Sequence, residues 1–241
     1  MKKFKLTSEF IVDISGVKLF RIKALIEFGN VKAGDSGGYI EKEENLSHMG
    51  NAWVSGNAQV SGDARVSGNA RVSGDAQVFG DARVSGNAQV SGNAQVSGDA
   101  RVSGNAQVFG DARVSGNARV FGDAQVSGNA QVSGNARVFG DAQVSGDARV
   151  SGNAQVFGDA RVSGDARVSG DKDYAYAHGF GSCNRTTTFF RLKDGDVGVR
   201  CGCFYGTLAQ FRDKVCETHG ETKKAQEYLM LADLMEIRFK N

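Results

Sequence analysis

The sequence predicts a mainly β repeat protein: a stacked solenoid between an N-terminal β cap and a small C-terminal α+β module. Three observations predict it. Valine returns every sixth residue from Val54 through Val168, which makes twenty units of the form Val-Ser/Phe-Gly-Asn/Asp-Ala-Gln/Arg. Alanine holds the fifth place of each unit from Ala58 to Ala166. The segments on either side, residues 1–50 and 172–241, lack the repeat, so residues 51–171 form a block of their own. The chain has 33 glycines and no proline. A valine in every unit makes this glycine content the mark of a packed repeat rather than of disorder.

Apolar valine at the first place and alanine at the fifth resemble the pattern of hexapeptide-repeat parallel β-helices. That resemblance implies triangular coils of three hexads, or eighteen residues, wound left-handed. Right-handed helices of the bactofilin kind are the alternative. Valine would then point inward from each flat side, alanine would fit near the corner, and Gly-Asn or Gly-Asp would supply the bend. Twenty units give between six and seven coils, roughly 32 Å of stack at the usual strand spacing.

Reading the repeat at eighteen residues separates its outward positions into columns. Phe121, Phe139 and Phe157 fall in one column, where Ser67, Ser85 and Ser103 stand earlier. The fourth place changes with them, from Asn69, Asn87 and Asn105 to Asp123, Asp141 and Asp159. Phe79 and Phe109 fall on other columns. An aromatic column on a solenoid surface is expected to be an interface, for self-association as a dimer or trimer or for docking another domain. Arg65, Arg83, Arg101, Arg119 and Arg137 form a second column, and Gln89, Gln107, Gln125 and Gln143 an amide ladder. Asp63, Asp81 and Asp99 accompany the first three arginines, so this face reads as a mixed-charge surface rather than a polyanion grip.

Residues 1–50 read as the cap that a repeat stack needs at its end. Phe10–Ile14 and Val17–Leu25 are β-rich runs joined by a Ser15-Gly16 turn. Residues 29–38 read as tight turns, and His48 falls in the valine place of a first unit ending at Trp53. Gly34-Asp-Ser-Gly-Gly38 matches the nucleophile segment of chymotrypsin-like proteases, whose base and acid precede the serine. No histidine precedes Ser36, so this stretch reads as a turn.

In residues 172–241, Tyr174, Tyr176, His178 and Phe180 form an aromatic transition over the last coil. Thr186–Leu192 and Val197–Phe204 read as two strands joined through Lys193-Asp-Gly-Asp196. Thr207-Leu-Ala-Gln210 fits a capping box opening a helix that ends at His219-Gly220. A second helix covers about 223–239, with Tyr228, Leu231, Met235 and Phe239 as its apolar stripe. The module is thus expected to be ββαα.

The chemistry in the sequence is sparse. Net charge is +2, from 29 Lys+Arg against 27 Asp+Glu, which argues against nucleic acid as a partner. Cys183, Cys201, Cys203 and Cys216 lack standard zinc spacing, and Cys201 and Cys203 lie on an apolar strand face, so they read as core thiols with no metal. With no secretory signal or membrane-length apolar run before them, they are expected to stay reduced in a cytoplasmic protein. Gly179–Arg185 could form an anion-binding loop, with Ser182, Asn184, Arg185 and Arg200 as ligand residues for a small anion or nucleotide. Hexapeptide-repeat acyltransferases use a histidine base on the coils, but no histidine lies between His48 and His178. No catalytic residue and no cofactor are therefore assigned.

Three stretches together resemble phage and prophage hexapeptide-repeat β-helix proteins. They are Leu19–Leu25 with Gly34–Leu46, the Gly-Asn-Ala repeat, and Cys201-Gly-Cys-Phe-Tyr-Gly-Thr207 with Thr218-His-Gly220. The resemblance implies a phage-encoded protein working in the host cytoplasm, where a host protein would be its partner. The expected function is non-enzymatic binding: the helix as rigid scaffold and association surface, the C-terminal module as the recognition site. Small-anion or nucleotide binding and acyl transfer are the alternatives.

Overall fold

The structure, a computed structural model, describes residues 1–181 and 185–240. The repeat forms a parallel β-solenoid of eighteen-residue coils. Each unit contributes one two-residue strand, Gln-Val or Arg-Val, and three units make a coil. Arg101 and Val102 thus pair with Arg83 and Val84 on one side and with Arg119 and Val120 on the other. The strands gather into three faces. The first runs from Gln59–Val60 to Arg167–Val168, the second from Arg65–Val66 to Gln155–Val156, and the third from Trp53–Val54 to Arg161–Val162.

The hexad dictates this arrangement. Valine and the residue before it point to opposite sides of the strand, so valine is buried while Gln or Arg meets solvent. Every valine and alanine of the repeat is buried. The backbone is satisfied between coils, as where Arg101 N–H donates to Ala118 O and Ser103 N–H to Val120 O, both at 2.9 Å. The corner requires glycine for two reasons. Gly104 has φ +70°, and a Cβ there would lie 2.8 Å from Gly122 N in the next coil. Asparagine and aspartate follow and stack outward, with Asn69 donating to Asn87, Asn87 to Asn105 and Asn105 to Asp123 at 2.9–3.0 Å. Among the described residues, inter-coil amide bonds run through these corner asparagines and not down the expected glutamine column.

The N-terminal hairpin forms as expected, from β1 (Phe4–Val12) and β2 (Lys18–Ala24). Asp13 Oδ1 accepts from Ser15 and Val17 N–H across the turn, and Gly16 takes φ +83°. Two details differ from the sequence reading. Ser36–Ile40 is a strand, β3, antiparallel to β2 and parallel to the Gln59–Val60 strand. Its glycines permit close approach: a Cβ at Gly37 would lie 2.4 Å from Ile22, and one at Gly38 2.6 Å from Ala58 O. The protease-like segment is therefore a turn at Gly34, as expected, followed from Ser36 by a structural strand that opens the first coil. His48 also leaves the valine place. Ile40 pairs with Val60 and Leu46 with Val66, twenty residues on, whereas Val54 pairs with Val72, eighteen on. Two extra residues between Leu46 and Val54 push His48 outward, where its ring stacks on Phe4 at 4.4 Å.

Lys3 closes the N-terminal end. It is 1% exposed, its ammonium donates to Ala52 O at 2.7 Å, and it sits 4.7 Å from the Phe28 ring centroid. Burial pushes its pKa down to about 8.

The C-terminal module has four antiparallel strands rather than two, followed by two helices. Tyr174–Phe180 is itself a strand, and the expected second strand divides into Val197–Cys201 and Phe204–Thr207. Helices α1 (Leu208–His219) and α2 (Lys223–Phe239) start and stop where the sequence signals them. Thr207 caps α1, with its hydroxyl accepting from Gln210 N–H at 3.3 Å, and Gly220 with φ +56° ends it. The sheet lies between two cores. Phe190 joins the solenoid core, and its neighbour Phe189 joins the core beneath the helices; both are fully buried. The sheet thus replaces the missing next coil. Arg161 N–H donates to Thr188 Oγ1 at 2.9 Å and Lys193 N–H to Asp165 O at 3.1 Å.

Candidate functional site

Two surfaces stand out, and both depend on where repetition stops. The first is the aromatic column on the second face. Phe121 and Phe139 stack at 5.0 Å with an interplanar angle of 1°, and Phe139 and Phe157 at 5.3 Å and 13°. The rings are held in register by the coil spacing beneath them. The stack does not end freely. Tyr174 and Tyr176 meet Phe157 edge-on, at 6.4 and 5.5 Å, so the strip runs into the C-terminal module. Phe157 remains 37% exposed, and Phe121 and Phe139 are half-buried. Phe79 and Phe109 are exposed on other faces, as expected from their columns.

The arginine column lies beside the strip, with Arg119 paired to Arg101 and to Arg137. In the early coils its corner neighbours are Asp63, Asp81 and Asp99; in the later ones Asn117 and Asn135. At its N-terminal end, Glu43, Glu44 and His48 face Arg65 and Arg83 across a groove of about 710 Å³. Opposed charges leave that groove without a net sign.

The second surface is a smaller cleft of about 220 Å³ between α1 and the Cys201–Phe204 turn. Its lining includes Phe204, Phe211, Val215 and Tyr228 below, with Arg185, Lys214, Thr218 and His219 above. Residues 211, 214, 215, 218 and 219 follow helical spacing, so one face of α1 supplies one wall. The aromatic rings fix the floor: Phe204 to Phe211 at 5.5 Å, Phe211 to Tyr228 at 5.6 Å, and Tyr228 to His219 at 5.8 Å. Cys201 is half-buried there, with its sulfur accepting from Thr187 Oγ1 at 3.2 Å. The core-thiol reading does not hold: the strand ends at Cys201, so Cys203 falls on the turn and is exposed at the edge of the same cleft, Cys216 is exposed on α1, and Cys183 lies outside the described residues.

The proposed anion loop is divided by the sheet. Ser182 and Asn184 lie outside the described residues. Arg185 lines the cleft on the helix side. Arg200 follows Val199, which packs in the helix-side core, and alternation turns it with Gly198 toward the solenoid. Arg185 and Arg200 therefore sit on opposite faces and cannot grip one anion together. Lys214, Thr218 and His219 were missed as a group because α1 carries them, and only its packing on the hairpin brings them to Arg185. The signal was present in part, since Cys201–Thr207 and Thr218–Gly220 are the two C-terminal stretches marked out in the sequence.

Among the described residues, no helix is long and apolar enough to cross a membrane. Nine stretches between residues 58 and 170 match the family model described as the YdcK beta solenoid repeat. No curated protein matches the chain. The matched stretches lie within the coils, and the coils carry the eighteen-residue register from Val54 onward, so the chain is a repeat β-solenoid protein.

Proposed function

We propose that this chain is a non-enzymatic binding protein of phage type. Its solenoid is a rigid scaffold and self-association surface, and its C-terminal module recognises a host protein. The observation that supports this reading is the Phe121/Phe139/Phe157 stack. It places three partly exposed rings on a flat face and abuts the module at half-buried Tyr176, with buried Tyr174 behind it. Stacked aromatic edges on a rigid face offer contact area at little entropic cost.

The test replaces all three phenylalanines with serine, the residue that the same column carries at Ser67, Ser85 and Ser103. That choice keeps the variant compatible with the coil. Light scattering should give a dimer or trimer of the 25.5 kDa chain for the wild type and a monomer for the variant. A monomeric wild type, or an unchanged variant, would overturn the association.

A further inference from the structure

We infer that the α1 cleft is a binding site for a carboxylate carried on a flat apolar body, a ligand class that the expected anion loop did not describe. The inference rests on the reading of the C-terminal module as the recognition element, and it names the chemistry recognised.

Size, floor and charge each narrow the ligand. An apolar cavity of about 150 Å³ is enough to bind benzene, so about 220 Å³ holds one ring and a small polar group. Half-buried Phe204 presents aromatic surface to that ring, and the buried rings of Phe211 and Tyr228 back the floor through tilted and edge contacts. Above the floor the charge has one sign, because Arg185 and Lys214 line the cleft and no carboxylate does among the described residues. Lys214 is partly committed, with its ammonium 2.8 Å from Glu217 on the outer surface of α1. Arg185 and Lys214 less Glu217 leave about one positive charge among these three groups. One excess charge over an apolar floor suits a monoanion better than a doubly charged phosphate. The guanidinium fork matches a carboxylate in two-point geometry, and Thr218 adds a hydroxyl donor at the rim.

The experiment uses the intact chain and calorimetric titration with 3-phenylpropionate, its amide, phenyl phosphate, and N-acetyl-Ala-Phe as the free acid. The acid should bind saturably, the amide at least about tenfold more weakly, and phenyl phosphate no better than the acid. Arg185→Gln and Lys214→Gln alter exposed side chains and should keep the fold, with Arg185→Gln lowering affinity by about tenfold or more. Cys203 gives an independent readout: its alkylation, followed on its own peptide, should slow when 3-phenylpropionate is present. Tighter binding of the peptide acid would place the source of the carboxylate at a protein chain end, and equal binding in a free small acid. No binding of either acid, equal binding of the amide, or full binding by Arg185→Gln would overturn the proposal. The association state of the phenylalanine variant is read separately, so failure of one leaves the other intact.

Discussion

The solenoid buries valine and alanine, and the C-terminal module buries phenylalanine and tyrosine. That difference sets what each can do. In the solenoid every coil presents the same small inward side chains, so the layers are interchangeable and the backbone stacks at close range. Specificity is left to the outward columns. In the module each large side chain has one set of neighbours. Phe189 and Phe190 occupy consecutive positions and fill two different cores. A repeat gives rigidity and a ruled surface, and a non-repeating unit gives concavity. Accordingly the cleft lies in the module, and the flat aromatic strip lies on the coils.

The comparison can be tested first at the sheet between the two cores. Phe189→Ala and Phe190→Ala should each cost about 3–5 kcal/mol in chemical denaturation. Hydrogen exchange should tell them apart: Phe189→Ala should loosen α1 and α2, whereas Phe190→Ala should loosen the last coil. Similar exchange patterns in the two variants would mean that the cores are not separate.

Next come the glycines. Gly104→Ala places a methyl against the following coil at positive φ and should cost at least about 2 kcal/mol. Gly16→Ala shares the positive φ but meets nothing within 4 Å, and should cost about 1 kcal/mol. Equal midpoints for the two would show that stacking between coils contributes nothing at the corner. A smaller effect is expected in the module, where Thr207→Ala removes the α1 cap at a cost of about 1 kcal/mol, measured by the same denaturation.

The subtlest test concerns pH at the solenoid's N-terminal end. The Lys3 pKa falls from 10.5 to about 8 through burial. The unfolded chain therefore holds this proton over a range where the folded chain releases it. Stability of the wild type relative to Lys3→Met should be flat below that window and rise as pH climbs from about 8 toward 10.5. A difference that stays constant to pH 10 would mean that the ammonium is not desolvated.

Much of this was legible because repetition copies one local rule many times. The period of six and the inward valine follow from spacing, and the aromatic column follows once the resemblance to hexapeptide-repeat helices implies three hexads to a coil. Helix α1 was legible through Thr207, Gln210 and Gly220, whose capping roles are local. His48 was misplaced because the period was extended one unit too far, and no local signal marks the two extra residues before Val54. The strand at Ser36–Ile40 was missed because glycine usually signals a turn. Gly37 and Gly38 serve instead to bring backbone close to Ile22 and Ala58.

The sequence by itself determined which side chain each repeat strand buries, since a strand alternates its side chains and a hexad of fixed composition can bury only one of its faces. Which outward residues share a column needed the eighteen-residue coil that the family resemblance implies and the strand pairing shows. Tertiary structure alone decided which residues meet across the module. The sheet places Arg185 and Arg200 on opposite sides, and α1 brings Lys214, Thr218 and His219 to the Cys201–Phe204 turn. Periodicity reports what recurs along the chain, whereas the cleft is built from positions that occur once and meet only when α1 packs on the sheet.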